Sequence, residues 1–314
     1  MPNAHPLVEL LANWLVLFVM AAGLLIWYKV AQKLVRGERV LRVEPRRQVP
    51  WTGLDVLMVL LFYFVCNVLV ATLGFYLLGP EITRAPVIDD PKDAEAGHLI
   101  IRLLLESDRS TIFACVLSAA VVAPITEEIL FRLFLQGWFE KVDRDVRQWV
   151  PALARWVRWG TVPVVLTSLL FASVHFRGEV RQYDPLFLVY LLMGSSIVKM
   201  AATAMALGVA VVFRGARAAD LGWEAKQFSE DVVLGLTALA AVIVPMFASM
   251  LLLNHILPKI SILPKHVAPD PLPLFFFSLV LGMLYLRTHR ITSAIVAHMG
   301  LNASSLLLLW LATG

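Results

Sequence analysis

Charge is what this chain has least of. Lysine, arginine, aspartate and glutamate make up 16% of its 314 residues, against 59% apolar residues. Soluble domains carry about 25% charged residues. A large soluble core is therefore excluded, and the composition is that of a polytopic membrane protein. The formal net charge of +4 is small and unevenly spread, which reads as topology and excludes a nucleic-acid surface. Cysteine is almost absent as well. Cys66 and Cys115 lie far apart in apolar runs with no CxxC spacing, which speaks against a zinc-thiolate site. The first apolar run lacks the basic front and small-residue exit of a cleaved signal peptide, so it is expected to be a retained helix.

What is present is apolar length. Eight runs are adequate as spans, at about 11–28, 54–78, 112–134, 162–176, 186–213, 232–257, 272–286 and 291–311, the fourth and seventh being short. The expected fold is all-α, a polytopic membrane bundle of about eight helices forming a single domain over 1–314. His98 to Leu105 is apolar but too short to span; it extends the third helix or lies on the surface. Arg144 to Gly160 mixes Trp149, Trp156 and Trp159 with arginines around Pro151 and reads as an interfacial amphipathic segment.

The basic residues alternate with the spans. Lys29, Lys33, Arg36, Arg39, Arg42, Arg46 and Arg47 follow span one. Lys141, Arg144, Arg147, Arg155 and Arg158 follow span three. Arg214, Arg217 and Lys226 follow span five, and Arg287 and Arg290 follow span seven. The opposite loops hold fewer, and one of them is acidic, with Glu81, Asp89, Asp90, Asp93 and Glu95. The basic side is expected to be cytoplasmic, with both termini on the other side.

Against this background Thr126-Glu127-Glu128-Ile129-Leu130-Phe131-Arg132 stands out, with three ionisable residues inside the third apolar run. Each charge at that depth costs on the order of a few kcal/mol unless paired or hydrated. Glu128 and Arg132 are four apart, in the favourable acid-first order, so Arg132 holds Glu128 ionised. Glu127 is turned about 100° away and needs water, a histidine or a metal from elsewhere. The bland reading is that the three residues glue helices together or line a polar seam.

Three further polar residues lie within later spans. His175 is four residues after Phe171, and Asn302 is four after His298, so each pair stacks on one helix face. At the helical rise, Glu127 lies roughly 15 Å deep, His175 roughly 20 Å, and His298 and Asn302 roughly 12 to 18 Å. One layer, reached from the cytoplasmic side, accommodates all four. A glutamate with a histidine deprotonates water, and an amide with a second imidazole donates to an oxyanion. That set suits amide hydrolysis in a membrane cavity. The alternative is a divalent metal such as zinc on Glu127, His175 and His298, weakened by the lack of any HExxH. Lys199, near the centre of span five and after Ser195 and Ser196, is expected to pair with a cavity carboxylate or mark water entry; a Ser–Lys nucleophile is the minor reading. His255 and His289, near span ends, read as interfacial.

Glu-Glu-x-x-x-Arg, Phe-x-x-x-His and His-x-x-x-Asn, in that order on separate spans, resemble the motifs of the CPBP family. That group comprises CAAX prenyl endoproteases and bacteriocin-processing or immunity proteins, and is also called the abortive-infection family. Leu281-Gly282-Met283-Leu284-Tyr285 is similar to the family's lead-in to its last motif. The resemblance implies an intramembrane endopeptidase with a conical cavity, in membrane lipid, cutting a peptide or protein that is prenylated or not. It implies that Glu127 and His175 activate water, that Glu128 and Arg132 support them, and that His298 and Asn302 form the oxyanion hole. It leaves glutamate and metal mechanisms both open. It also implies a prokaryotic cell membrane. The motif core is 112–180 and 272–312. The stretch between His175 and His298 is longer than is usual for the family, so 181–271 reads as extra middle helices. The alternative function is a non-catalytic scaffold or bacteriocin-immunity protein that binds a peptide in the same cavity. A transporter with a Glu127–Lys199 relay would call for inverted repeats, and the sequence shows none that convince.

Overall fold

The computed structural model describes residues 6–41, 43–44, 48–79, 82, 108–151, 157–175, 185–253 and 271–313. The apolar stretch from His98 to Leu105, the acidic loop residues, Trp156 and His255 lie outside them.

Among the described residues the chain is helical throughout, without a strand. The principal helices are α1 (Pro6–Val35), α2 (Gly53–Leu78), α3 (Arg109–Trp149), α4 (Thr161–Val174), α5 (Pro185–Gly208, continued by Val209–Phe213), α6 (Phe228–Leu251), α7 (Pro271–Thr288) and α8 (Ile291–Thr313). Six of them are long and apolar enough to cross a membrane, while α4 and the apolar part of α7 are shorter. The short pair coincides with the two runs that the sequence also marks as short.

α3 is the centre. It packs against α4, α5, α7 and α8, while α2 lies along α5 and α1 lies along α6. Small residues set these approaches. Gly23 lets α1 sit against Ala240 and Val244, and Trp27 Nε1 donates to Ala241 O at 2.8 Å. The Tyr190 hydroxyl of α5 donates to Val70 O of α2 at 2.6 Å. Outer faces of α1 and α2, such as Phe18, Leu25, Leu61 and Phe64, are exposed and apolar. This is the pattern of a helix that meets lipid on one side.

α3 is not uniform. Wider, π-type turns occupy Ser118–Val122 and Ile129–Gln136, on either side of the short α-helical stretch Ala123–Glu128. Such turns free backbone carbonyls for outside donors and cluster at functional sites. In the first, Ala123 N–H reaches back to Ser118 O. The next donor in that register is Pro124, which has no N–H, and Ala119 O takes a hydrogen bond from Asn302 Nδ2 at 2.8 Å instead. In the second, Phe134 O accepts the Trp51 indole at 2.9 Å.

The expected interfacial segment proves to be partly the end of α3. The helix runs on without a break to Trp149, whose ring is exposed. Its turn back into α4 is fixed by Asp143, which accepts from Arg147 Nε at 3.0 Å and from Gly160 N at 3.0 Å. Gly160 has φ 79°, a conformation glycine adopts without cost.

The four basic loops meet at one end of the bundle. Arg214, after α5, grips Asp55 in the first turn of α2 at 2.8 and 2.9 Å. Arg290, between α7 and α8, pairs with Glu44 at 3.3 Å and with Asp231 of α6 at 3.2 Å. Lys141, near the end of α3, donates to Val49 O and Trp51 O at 3.3 and 3.2 Å.

Candidate functional site

Glu127 and Glu128 stand at the end of the short α-helical stretch of α3. Glu128, Arg132 and Gln136 are fully buried, and Glu127 and His298 are 6% and 4% exposed. Burying so much charge in one place is tolerable only if it is paired. The pairing is nearly complete. Glu128 Oε2 accepts from Arg132 Nε at 3.2 Å, which is the expected pair one turn apart. Arg132 Nη2 donates to Ser278 Oγ of α7 at 2.5 Å, and its guanidinium lies over the Phe171 ring at 5.5 Å. One turn on, Gln136 Nε2 donates to Gly282 O at 2.9 Å. Gly282 matters because a side chain there would meet Val164, Gln136 and Arg132 at 3.0 to 3.4 Å.

Glu128 also reaches across to α8. Its Oε1 lies 2.8 Å from His298 Nδ1. An Arg-paired carboxylate is an acceptor, so Nδ1 carries the hydrogen and Nε2 is turned toward Glu127 Oε2, 3.8 Å away. The His298 ring is held edge-on between Phe171 and Phe277, with centroids at 5.7 and 5.2 Å.

His175 ends α4. Its Nδ1 lies 2.7 Å from Phe171 O, which as a carbonyl can only accept, so this imidazole is also protonated at Nδ1. The ring stacks against Phe171 at 4.5 Å. Its Nε2 faces the same Glu127 Oε2, at 3.7 Å. The two imidazoles thus converge on one carboxylate oxygen from two different helices. The other oxygen, Oε1, accepts from the ammonium of Lys199 on α5.

The structure therefore brings together Glu127, Glu128, Arg132, His175 and His298. Asn302 stands one turn along α8, where its Nδ2 donates to Ala119 O. Of the partners that the sequence offered for Glu127, histidine is there twice, and Lys199 takes the place of a cavity cation. Ser196 bonds to Ser118 and to Leu192 O, and the Lys199 ammonium is taken by Glu127. Ser278, Gln136 and Gly282 were not singled out by the sequence. Only Gly282 left a trace there, as part of the lead-in to the last motif.

The donor set does not fit a metal. An ion on Glu127, His175 and His298 would share the carboxylate with the Lys199 ammonium, cation beside cation. Among the described residues no three His, Cys, Asp or Glu side chains are arranged to hold one.

With the geometry in place, comparison with known families decides what the chain is related to. It matches the model of the Rce1-like type II CAAX prenyl endopeptidase family over residues 109–219 and 211–304. The chain belongs to that family. The Rce1-like match takes in α3 to α8, all six motif residues and Lys199. It also runs through 181–271, where the sequence shows no motif. Neither the curated proteins nor the solved structures compared with the chain gave a match.

Proposed function

We propose that this protein is an intramembrane endopeptidase of the CAAX type, which hydrolyses a peptide bond with water activated by Glu127 and His175. The observation that carries the reading is the convergence of His175 Nε2 and His298 Nε2 on Glu127 Oε2, at 3.7 and 3.8 Å, from two further helices in a mostly buried cluster. A carboxylate oxygen flanked by two imidazoles, able to hold a water beside all three, is a general base in waiting.

In this reading a water held against these groups gives its proton to Glu127 as its oxygen attacks the scissile carbonyl. His175, whose Nδ1 hydrogen is committed to Phe171 O, has Nε2 as its only acceptor and relays that proton to the leaving amine. His298 and Asn302 stabilise the oxyanion. Asn302 has two amide hydrogens; one lies on Ala119 O, and the other is left for substrate. Glu128, neutralised by Arg132, holds His298 by Nδ1, so that its Nε2 is unprotonated at rest and takes up a proton only as charge develops on the oxyanion. No step uses a metal.

Family membership and the chain's pattern support the rest of the reading. The protein is a single membrane domain of eight spans in a prokaryotic cell membrane. Its site opens toward the basic, cytoplasmic end, and its substrate is a prenylated peptide or protein. The test is digestion of a peptide library, prenylated and unprenylated, with products identified by mass. The reading expects cleavage near the prenylated cysteine and its loss in His175→Ala. Peptide binding without cleavage by the wild type would instead favour a non-catalytic binder.

A further inference from the structure

Lys199 belongs to none of the three motifs, yet it makes the most direct contact on the central carboxylate. Its side chain is 20% exposed and Glu127's is 8%. Every other charged group that faces Glu127 has a separate assignment. Arg132 is spent on Glu128 and Ser278. His298 Nδ1 is on Glu128 and His175 Nδ1 is on Phe171 O. The charge count of the cluster is then two carboxylates, Glu127 and Glu128, against two cations, Lys199 and Arg132. The sum is zero without a proton on either imidazole.

That balance has a consequence for chemistry. An ionised carboxylate at this depth needs a counter-charge. Without Lys199, the available sources are a proton on Glu127 itself or one on a histidine that faces it. The first removes the base, and the second removes an acceptor. α5 is well placed to hold the lysine steady, because Ser196, one turn earlier, also bonds to α3, at Ser118. The two oxygens of Glu127 are thereby made unequal. Oε1 is tied to the ammonium, and Oε2 is left to the water and the two imidazoles.

We propose that Lys199 is a positioning residue of the peptidase site. It supplies the second cation of the buried cluster and fixes Glu127 Oε1, so that Oε2 alone acts as base and both imidazole Nε2 atoms remain free for proton transfer. This rests on the peptidase reading above and assigns a role to a part of the chain outside its motifs.

The test uses full-length protein in lipid vesicles with a prenylated peptide. Lys199→Met preserves length and removes charge; Lys199→Arg preserves charge. The expected result for Lys199→Met is a fall in kcat of about 100-fold with little change in KM. Lys199→Arg should recover most of the rate, and added ethylammonium should restore activity to Lys199→Ala in a saturable way. A lysine that merely braced α5 would show no split between kcat and KM and no rescue by a free amine. Wild-type kcat in Lys199→Met overturns the proposal. So does a folded Lys199→Arg as inactive as Lys199→Met, which decides the matter even if the neutral variants do not fold. Absence of cleavage by the wild type would instead overturn the peptidase reading itself, so the two failures are told apart.

Discussion

At the scale of single residues, burial decides which carboxylate is structural and which is free to react. Glu128 is fully buried and is shared by Arg132 and His298. Replacing it by glutamine leaves Arg132 as an uncompensated buried charge. We expect Glu128→Gln to cost about 3–5 kcal/mol, seen as a lowered Tm in detergent. Glu127→Gln strands only Lys199, which is partly exposed, so it should lose activity while melting close to the wild type. Gly282→Ala offers a test of packing away from the reacting atoms. The new methyl would press on Gln136 and Arg132, which are fully buried and cannot swing aside. A loss of about 1–3 kcal/mol is expected, and a wild-type Tm would show that the pocket yields. The Glu128–Arg132 pair was legible in the sequence because both residues sit on one helix, where spacing alone sets the geometry. The Lys199 contact, 72 positions away, was legible only as a demand: an intramembrane lysine needs a carboxylate, but spacing does not say which. Ser278 was not legible at all, since a serine in an apolar span has many ways to be satisfied.

At the scale of elements, the informative feature is the irregularity of α3. Hydropathy finds the helix but not its wide turns, because a π-type turn inserts one residue without changing the apolar pattern. Pro124 is the one sequence mark of the first turn, and it acts through the hydrogen bond it cannot make. If Asn302 fills that gap, Asn302→Ala should cost about 1 kcal/mol in the wild type and less in a Pro124→Ala background. Equal costs in both would contradict the account. The start of α3 supplies a second case. Asp108 caps the helix, accepting from Ser110 N at 2.9 Å and Thr111 N at 3.0 Å. Hydrogen bonds from the Ser110 and Thr111 side chains and from the Thr111 amide hold its carboxyl well below the usual carboxylate range. A carboxyl depressed in the folded state stabilises at any pH above its unfolded value, and that contribution fades as pH falls through the folded value. Hydrogen exchange, corrected for intrinsic rate, should show the first turn of α3 protected in the neutral range. Asp108→Ala should lose that protection at neutral pH.

At the scale of the whole molecule, the alternation of basic and poor loops was the part of the fold most legible in the sequence. It shows in the structure as the pairs Arg214–Asp55 and Arg290–Glu44 and the hold of Lys141 on Val49 O and Trp51 O, at one end of the bundle. Helix lengths were legible to within several residues. The joining of α3 to the interfacial segment was not, because a helix that leaves the apolar layer changes composition without changing conformation. The proposed orientation rests on the positive-inside bias and is open to a direct check. In a background with Cys66 and Cys115 replaced, cysteines introduced at Asp108 and Arg217 should react with an impermeant maleimide from opposite faces of sealed vesicles. Labelling from the same face would refute the topology. The central claim is that a glutamate-activated water cuts a peptide inside this bundle. Its most direct test is cleavage of a prenylated peptide by the purified protein and by Glu127→Gln, each with and without a chelator. The account predicts cleavage by the wild type that survives the chelator and disappears in Glu127→Gln, with the variant still folded and still binding peptide. Cleavage that persists in Glu127→Gln, or that the chelator abolishes, would contradict it.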